Sequence, residues 1–211
     1  MRFTKLGSEL SAIITPFSDW FFQQDLTELN ELAKANEKNT GESIDYCCGE
    51  DYLDIIVKKD GQHIGYPEIS YSYDMNMDKT PEHFRKPLWD MNTELCAYLG
   101  ARNTAVSVYY PEGGFMGWHN NWNAHGYNIL LSYTKNGGGY FKFRDPESKI
   151  VNTMYDPQGW SSKVGYYGRG REPDKVYYHC AGTTEPRITL GFVVPDEDMW
   201  LMMIEDIESD A

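Results

Sequence analysis

The sequence YYPEGGFMGWHNNWN at residues 109–123 decides what fold we expect for the whole chain. A strand-like run, Ala105–Tyr110, leads into a Pro-Glu-Gly-Gly turn, after which His119 stands among two tryptophans and three asparagines. A second histidine, His179, lies near the end of the strand-like run KVYYHC, and Arg187 follows eight residues later in PRITLGFVV. Two imidazoles and a guanidinium near strand ends predict a metal site with an anionic co-ligand.

The composition restricts the classes of partner. A formal net charge of −13 argues against nucleic acid, because binding it needs a basic surface that displaces counterions. No apolar run reaches the roughly 18 residues of a membrane span, and residues 1–15 lack the pattern of a signal peptide. Cys180 should face away from His179 as a buried thiol, because side chains alternate along a strand. We therefore expect a cytoplasmic protein with reduced thiols and no membrane partner.

The pattern of the chain changes near residue 104. Before it, hydrophobic periodicity predicts helices over Asp19–Lys38 and from Thr80 to Gly100, with short strands at Ala12–Thr15, Tyr52–Lys58 and Ile69–Tyr73. After it, apolar runs separated by turns predict six strands: Ala105–Tyr110, Tyr127–Thr134, Tyr140–Arg144, Ile150–Met154, Lys175–Cys180 and Arg187–Val194. Short strands between turns favour a sandwich or jelly roll, so we predict a mainly β fold with helices, of the α+β class.

The length of 211 residues fits a single domain, and there is no repeat or linker. We expect a helical and mixed supporting region at residues 1–103 and a β core at residues 104–195. An acidic C-terminal tail follows at residues 196–211, as either a closing helix or a frayed end. Aromatic residues make up 15% of the chain, which favours broad packed β surfaces and a lined pocket.

Residues 104–194 resemble the core of the Fe(II)/2-oxoglutarate-dependent oxygenases of the prolyl-hydroxylase and nucleic-acid-dealkylase type. That family carries a tyrosine, a glycine three residues later and the first metal histidine six residues after that. Tyr110, Gly113 and His119 have the same spacing. The resemblance implies a double-stranded β-helix, or jelly roll, with the N-terminal helices as supports.

Two later motifs extend the resemblance. The sequence GGYFKF at residues 138–143 is similar to the family's Gly-Gly-x-Leu-x-Phe strand opening, with Phe141 in the leucine place. The family then has a second metal histidine and an Arg-x-Ser pattern. His179 and the run from Arg187 to Thr189 are similar to these, with threonine in the place of serine.

The resemblance implies a role for each matched residue. His119 and His179 would bind Fe(II), and Arg187 would hold the distal carboxylate of 2-oxoglutarate, since a planar guanidinium suits bidentate contact with a carboxylate. Tyr110 and Thr189 would add hydrogen bonds to the same co-substrate. The chemistry implied is the oxidation of a small-molecule or peptide substrate by O₂, with decarboxylation of 2-oxoglutarate.

The chain departs from the family at the third metal ligand. Two residues after the first histidine the family places aspartate or glutamate, whereas this chain has Asn121. Asn121 or Asn123 could ligate through the amide oxygen, or His125 could serve as a third imidazole. The position could also hold water or an anion such as halide, as in the family's halogenases.

The pocket walls are predicted from aromatic and basic residues near the histidines. We expect Trp118, Trp122 and Trp160, together with the tyrosine-rich run GYYG at residues 165–168, to line the pocket. Arg169 lies in the basic run GRGRE, which either recognises an acidic substrate or forms a solvated loop, with Asp156 as a partner for one of its arginines. Asn123 and His125 complete this set.

The sequence thus predicts an Fe(II)- and 2-oxoglutarate-dependent dioxygenase, with two alternatives. The first is a cupin-like metalloenzyme that uses the same histidines without 2-oxoglutarate. The second is a metal-free, non-catalytic binding protein of the same fold, in which the absent carboxylate marks an inactive site.

Overall fold

The computed structural model describes residues 1–59, 66–121, 125–168 and 172–211. The strands in this part of the chain are β1 Arg2–Thr4, β2 Ser70–Tyr71, β3 Tyr73–Asp74, β4 Asn103–Tyr110, β5 Phe115–Asn120, β6 Gly126–Thr134, β7 Gly139–Arg144, β8 Val151–Tyr155, β9 Gly159–Tyr167, β10 Tyr178–Thr183 and β11 Arg187–Val194. The α-helices are α1 Ser8–Phe21, α2 Thr27–Lys34, α3 Ile44–Cys47, α4 Glu50–Lys58, α5 Glu82–Tyr98 and α6 Glu197–Ser209. A 3₁₀ helix, Pro173–Lys175, precedes β10.

The strands form two antiparallel sheets. The six-stranded sheet has the order β1-β9-β6-β11-β4-β3, and the five-stranded sheet has the order β2-β5-β10-β7-β8. From β4 to β11 the chain crosses from one sheet to the other at each step, except that β7 and β8 pair with each other. The predicted α+β class built on antiparallel strands is therefore confirmed.

Helices cover the outer face of the six-stranded sheet. Because side chains alternate along a strand, β11 directs Ile188, Leu190 and Phe192 outward, and all three have no exposed surface. They share a core with Ile14 of α1 and Leu95 of α5. Burying one such side chain stabilises the fold by about 1.5–3 kcal/mol, so this layer fixes the sheet that carries Arg187.

A second, smaller core covers the outer face of the five-stranded sheet. Leu53 and Ile56 of α4 pack there against Trp118 and Cys180. The indole nitrogen of Trp118 donates a hydrogen bond of 2.9 Å to the carbonyl of Gly49. Cys180 is fully buried on this face, so it lies opposite His179 as the alternation predicts.

Three of the predicted N-terminal elements are wrong. Ala12–Thr15 is part of α1, not a strand. The helix expected over Asp19–Lys38 is divided, because α1 ends at Phe21 and α2 begins at Thr27. Tyr52–Lys58, expected as a strand, is most of α4, whose buried Tyr52, Leu53 and Ile56 follow the helical period and dock on β5. Packing here overrides the β propensity of an Ile-Ile-Val run.

The C-terminal tail forms a closing helix. Asp196 caps α6, its carboxylate accepting a hydrogen bond of 2.9 Å from the backbone of Met199. Met203, Ile204 and Ile207 of α6 join the core on the outer face of the six-stranded sheet. In the described part of the chain, no helix combines the length and the apolar character that crossing a membrane requires.

Candidate active site

A β-bulge places the two histidines beside each other. His119 of β5 is directly opposite His179 of β10, whereas Met116 is opposite Ala181, so β5 takes three steps where β10 takes two. The extra residue lets both Met116 and His119 face the space between the sheets. Gly117 forms the bulge, where a Cβ atom would lie 2.8 Å from the carbonyl oxygen of Ile69.

Both imidazoles form a hydrogen bond from Nδ1 to a backbone carbonyl. Nδ1 of His119 lies 2.8 Å from the carbonyl oxygen of Gly117, and Nδ1 of His179 lies 3.2 Å from that of Tyr177. Because a carbonyl oxygen only accepts, each Nδ1 carries a proton, and in the neutral ring the lone pair is then on Nε2. These backbone hydrogen bonds favour the tautomer that can bind a metal ion through Nε2.

The separation of the rings suits a shared ion. Their centroids are 4.2 Å apart, and each histidine is only 5% exposed. An imidazole nitrogen lies about 2.0–2.1 Å from a metal it binds, so two rings this close can share one ion. Phe141 stacks on His179 with its centroid 5.4 Å away and restrains that ring.

The described residues add no acidic, cysteine or histidine side chain to the pair as a third potential metal ligand. Within residues 1–59, 66–121, 125–168 and 172–211, no group of three or more His, Cys, Asp or Glu side chains can hold a metal ion. Asn121 lines the same cavity as the two histidines. The chain thus brings two imidazoles and one amide to the same cavity.

A cavity of about 260 Å³ lies between the sheets and joins the histidines to Arg187. Its walls are apolar for much of their area, through Val106, Met116, Leu130, Phe141 and Ala181. Polar side chains occupy two places, the end at Arg187 and the region around the histidines. The cavity thus has a cationic end at Arg187 and an imidazole end at the two histidines.

Arg187 is held by three hydrogen bonds at the cationic end. Its Nε atom donates to Asp156 at 2.8 Å, and its terminal nitrogens donate to Thr189 at 2.6 Å and to Ser132 at 3.0 Å. The guanidinium lies over the ring of Tyr110, 4.9 Å from the centroid. Arg187 is only 1% exposed, so its orientation is fixed by these partners.

One carboxylate serves two buried cations. Asp156 forms ion pairs with Arg187 and with Lys163, and the side chains of Asp156 and Lys163 have no exposed surface. Among the described residues it is the one acid in contact with either cation, so the cluster keeps one net positive charge. An unmatched buried charge is unfavourable, and a bound anion would offset it.

The pKa values follow from this cluster. Burial alone would raise the pKa of Asp156, but the charges of Arg187 and Lys163 outweigh it and lower that pKa to about 2. Burial lowers the pKa of Lys163 to about 8, although Asp156 opposes the shift. Lys163 is therefore mainly protonated at neutral pH and becomes neutral in mildly alkaline solution.

The hydroxyls of Thr189 and Ser132, which contact Arg187, can each donate one further hydrogen bond. Thr189 and Ser132 accept from the guanidinium, so each keeps its own proton for another acceptor. Both side chains line the cavity. Tyr110 also lines it, and its hydroxyl donates to the sulfur of Met116 at 3.1 Å. Burial raises the pKa of Tyr110, which keeps the hydroxyl a donor.

Two predicted pocket residues lie elsewhere. Trp118 faces the opposite side of the five-stranded sheet, because the bulge that directs His119 inward directs Trp118 outward. Trp160 lies on the outer face of the six-stranded sheet, where its indole donates to Ser18 at 3.0 Å and its ring meets Tyr133 edge-on. Neither tryptophan lines the cavity. The prediction that they form its walls is wrong.

Four further predicted pocket residues either lie outside the described part of the chain or do not line the cavity. Trp122, Asn123 and Arg169 lie outside the described residues. His125 is described and half-buried, but it is not among the residues that line the cavity. Asp156 was expected to pair with an arginine of residues 169–171, whereas in the described structure its partners are Arg187 and Lys163.

Two residues near the cavity are not evident from the sequence. Ser132 lines the cavity, and Lys163 lies in the ion cluster of Asp156 and Arg187. Tyr167, which the sequence suggested for the pocket wall, lines the cavity and packs edge-on against His179, 5.1 Å between centroids. Lys163 and Tyr167 belong to β9, a strand that the sequence did not predict. The available signal was a lysine between the apolar residues of β9, since a cation in a strand buried on both faces implies a buried anion partner.

No protein-family model and no curated protein sequence matches the chain. Among solved structures it is similar to a prolyl-4-hydroxylase from Pseudomonas putida, with 14% identity and a TM-score of 0.31 over 58% of this chain and 66% of that one. It is also similar to OsALKBH1, with 14% identity and a TM-score of 0.30 over 54% of this chain and 63% of that one. The chain thus spans slightly less than two thirds of each neighbour. Similarity at this level assigns neither an activity nor a substrate.

Proposed function

We propose that the protein is an Fe(II)- and 2-oxoglutarate-dependent dioxygenase with a double-stranded β-helix core, which hydroxylates or otherwise oxidises a small-molecule or peptide substrate. The observation that carries the proposal is that His119 and His179 from one sheet and Arg187 from the other line the same cavity. The crossing of the chain between the sheets from β4 to β11 supports the proposed core.

The two imidazoles fit Fe(II). Both rings line the cavity in the tautomer that binds through Nε2, and borderline metals of this kind favour imidazole ligands. Asn121 is the described residue that we propose as the third, weak protein ligand, through its amide oxygen. A neutral ligand set leaves the full charge of the ion for co-substrate or another anion to offset.

The other end of the cavity fits the distal carboxylate of 2-oxoglutarate. Arg187 offers its remaining N–H groups, and Ser132 and Thr189 offer hydroxyl protons. The net positive charge shared with Lys163 and Asp156 favours an anion at this depth. Tyr110 would exchange its hydrogen bond to Met116 for a stronger one to the carboxylate.

The residues of the chain position the reactants and exclude water. Arg187 cannot turn away, because Asp156 holds its Nε atom and Thr189 and Ser132 hold its terminal nitrogens. The apolar walls at Leu130 and Phe141 keep the region between the two ends dry. When bound, Fe(II) would supply the activation of O₂, which no side chain here can provide.

The function is tested by an anaerobic titration with Fe(II) and 2-oxoglutarate. We expect the weak visible charge-transfer band of this enzyme class in the wild-type protein. We expect Arg187→Met to bind 2-oxoglutarate about 100-fold more weakly, since it removes a charge-assisted anchor and leaves a neutral Asp156–Lys163 pair. The matched control is Arg102→Met at an exposed arginine. No band in the wild type would contradict the proposal, and an undiminished affinity of Arg187→Met for 2-oxoglutarate would mean that Arg187 does not anchor this co-substrate.

The affinity for 2-oxoglutarate should fall as Lys163 loses its proton. Below a pH of about 8 the cluster carries one net positive charge, and above it the charge is zero, because the pKa of Lys163 is about 8. We expect metal-free protein to bind 2-oxoglutarate about tenfold more weakly at high than at neutral pH, measured by calorimetry. Lys163→Met should bind with little change over the same range. An equally steep fall in that variant would mean that another group titrates.

A further inference from the structure

The hydroxyl of Tyr167 is buried without a hydrogen-bond partner among the described residues. Tyr167 is 1% exposed, and it lines the cavity that contains His119 and His179. A buried hydroxyl without a partner destabilises a folded protein, because it has lost its hydrogen bonds to water. Such a group in a cavity indicates an acceptor that binds there.

The position of Tyr167 is set by the sheet. It is the last residue of β9, and its ring lies edge-on to His179, with 5.1 Å between centroids and 62° between ring planes. Its neighbour Tyr166 faces the opposite side of the sheet, where its hydroxyl donates to Glu172 at 2.7 Å. The chain therefore places one tyrosine beside the histidine pair and an adjacent one away from it.

Location distinguishes Tyr167 from the other unpartnered groups. Side-chain atoms of Tyr52, Asn92 and Ser162 also lack partners among the described residues, but none of those three lines the cavity. Tyr52 lies in the core under α4, and Asn92 donates to Ser107 under α5. Within the described residues, these three have no cavity of this kind beside them, whereas Tyr167 lies at the cavity beside His179.

The charge of the imidazole end indicates what that ligand is. Imidazole and amide groups are neutral when they bind a metal, so a divalent ion held by His119, His179 and Asn121 would keep its full charge. An anionic ligand supplied from solution would lower that charge, as a carboxylate side chain would have done. A tyrosine hydroxyl, protonated at neutral pH, donates a strong hydrogen bond to an anion.

We propose that Tyr167 donates a hydrogen bond to a small anion that completes the coordination of a metal ion at His119 and His179. The inference rests on the proposed function, because it needs the metal. It assigns to Tyr167 a positioning role that compensates in part for the absent carboxylate ligand.

The test uses the full-length protein loaded with Co(II), whose visible absorption reports on coordination, and azide as the anion. We expect azide to change the Co(II) spectrum of the wild type, and the azide affinity of Tyr167→Phe to be about tenfold lower. Tyr166→Phe is the matched control and should differ from the wild type by less than about twofold. The affinity for Co(II) itself should be unchanged in both variants.

A second measurement separates this role from simple packing. Tyr167→Phe removes an unpartnered hydroxyl, so the metal-free variant should melt about 2–4 °C higher than the wild type. A lower melting temperature would mean that the hydroxyl stabilises the fold and would overturn the inference. So would unchanged azide affinity in a variant that binds Co(II) normally. If the wild-type protein gives no spectrum of bound Co(II), distinct from that of Co(II) in buffer, the proposed function is overturned as well.

Discussion

Asp156→Asn is expected to lower the free energy of unfolding by about 3–5 kcal/mol. The substitution leaves Arg187 and Lys163 buried without a counter-charge, and breaking a buried ion pair from one side has costs of this size. Urea unfolding monitored by tryptophan fluorescence measures the change. The matched control is Asp90→Asn on α5, which removes an exposed ion pair to Lys86 and should change stability by less than about 1 kcal/mol.

A second substitution tests the reason for this loss. Asp156→Asn combined with Lys163→Met restores the single net positive charge of the native cluster, so the double variant should regain a large part of the lost stability. If Asp156→Asn is as stable as the wild type, the three side chains do not form a buried ion cluster in solution. If the double variant is no better than the single one, the loss comes from packing or geometry.

The same cluster predicts the acid response. The pKa of Asp156 is about 2 in the folded protein and 3.8 in the reference state. A lowered folded pKa stabilises the protein fully above the reference value, and that contribution disappears as pH falls from about 4 through 2. The stability of the wild type should therefore fall more steeply over this range than that of Asp156→Asn.

His179→Ala is expected to weaken Fe(II) binding by more than about 100-fold. It leaves one imidazole and one amide on the ion, and even changes to groups behind a metal ligand reduce affinity by about 10–100-fold. Anaerobic equilibrium dialysis measures the affinity. The matched control is His83→Ala, at an exposed histidine of α5.

The outcome also decides between the proposed function and a metal-free protein. If wild type and His179→Ala both fail to bind stoichiometric Fe(II) while retaining their fold, the two histidines are a packed aromatic pair and the protein is a binding module. If His179→Ala binds Fe(II) as tightly as the wild type, the metal lies elsewhere. His119→Ala should behave like His179→Ala, because the two rings are opposite each other in register.

The sequence predicted strands well where hydrophobic pattern and packing agree. Arg187–Val194 coincides with β11, and Tyr127–Thr134 differs from β6 by one residue. These central strands place apolar residues against the helices, so their outer face alone gives a clear signal. The histidines and Arg187 could be singled out because their order and spacing along the chain are visible without coordinates.

The two long strands that escaped prediction, β5 and β9, both contribute residues to the cavity. All six residues of β5 are buried, and its bulge at Gly117 breaks the alternation by which strands are recognised. β9 directs Ser161 and Lys163 inward, so its inner face is polar where a core strand is expected to be apolar. The Asp156 cluster depends on register between strands distant in sequence, which local patterns do not contain.

The two ends of the candidate site belong to different sheets: the histidine pair to the five-stranded sheet and Arg187 to the six-stranded sheet. Any molecule that touches both the histidine pair and Arg187 must bridge the gap between the sheets, so its chain length is constrained by how far apart they stand. Leu130 and Phe141 pack between the sheets and help to set that gap. Trimming or enlarging either side chain should change which of two dicarboxylic acids, differing by one methylene, binds more tightly.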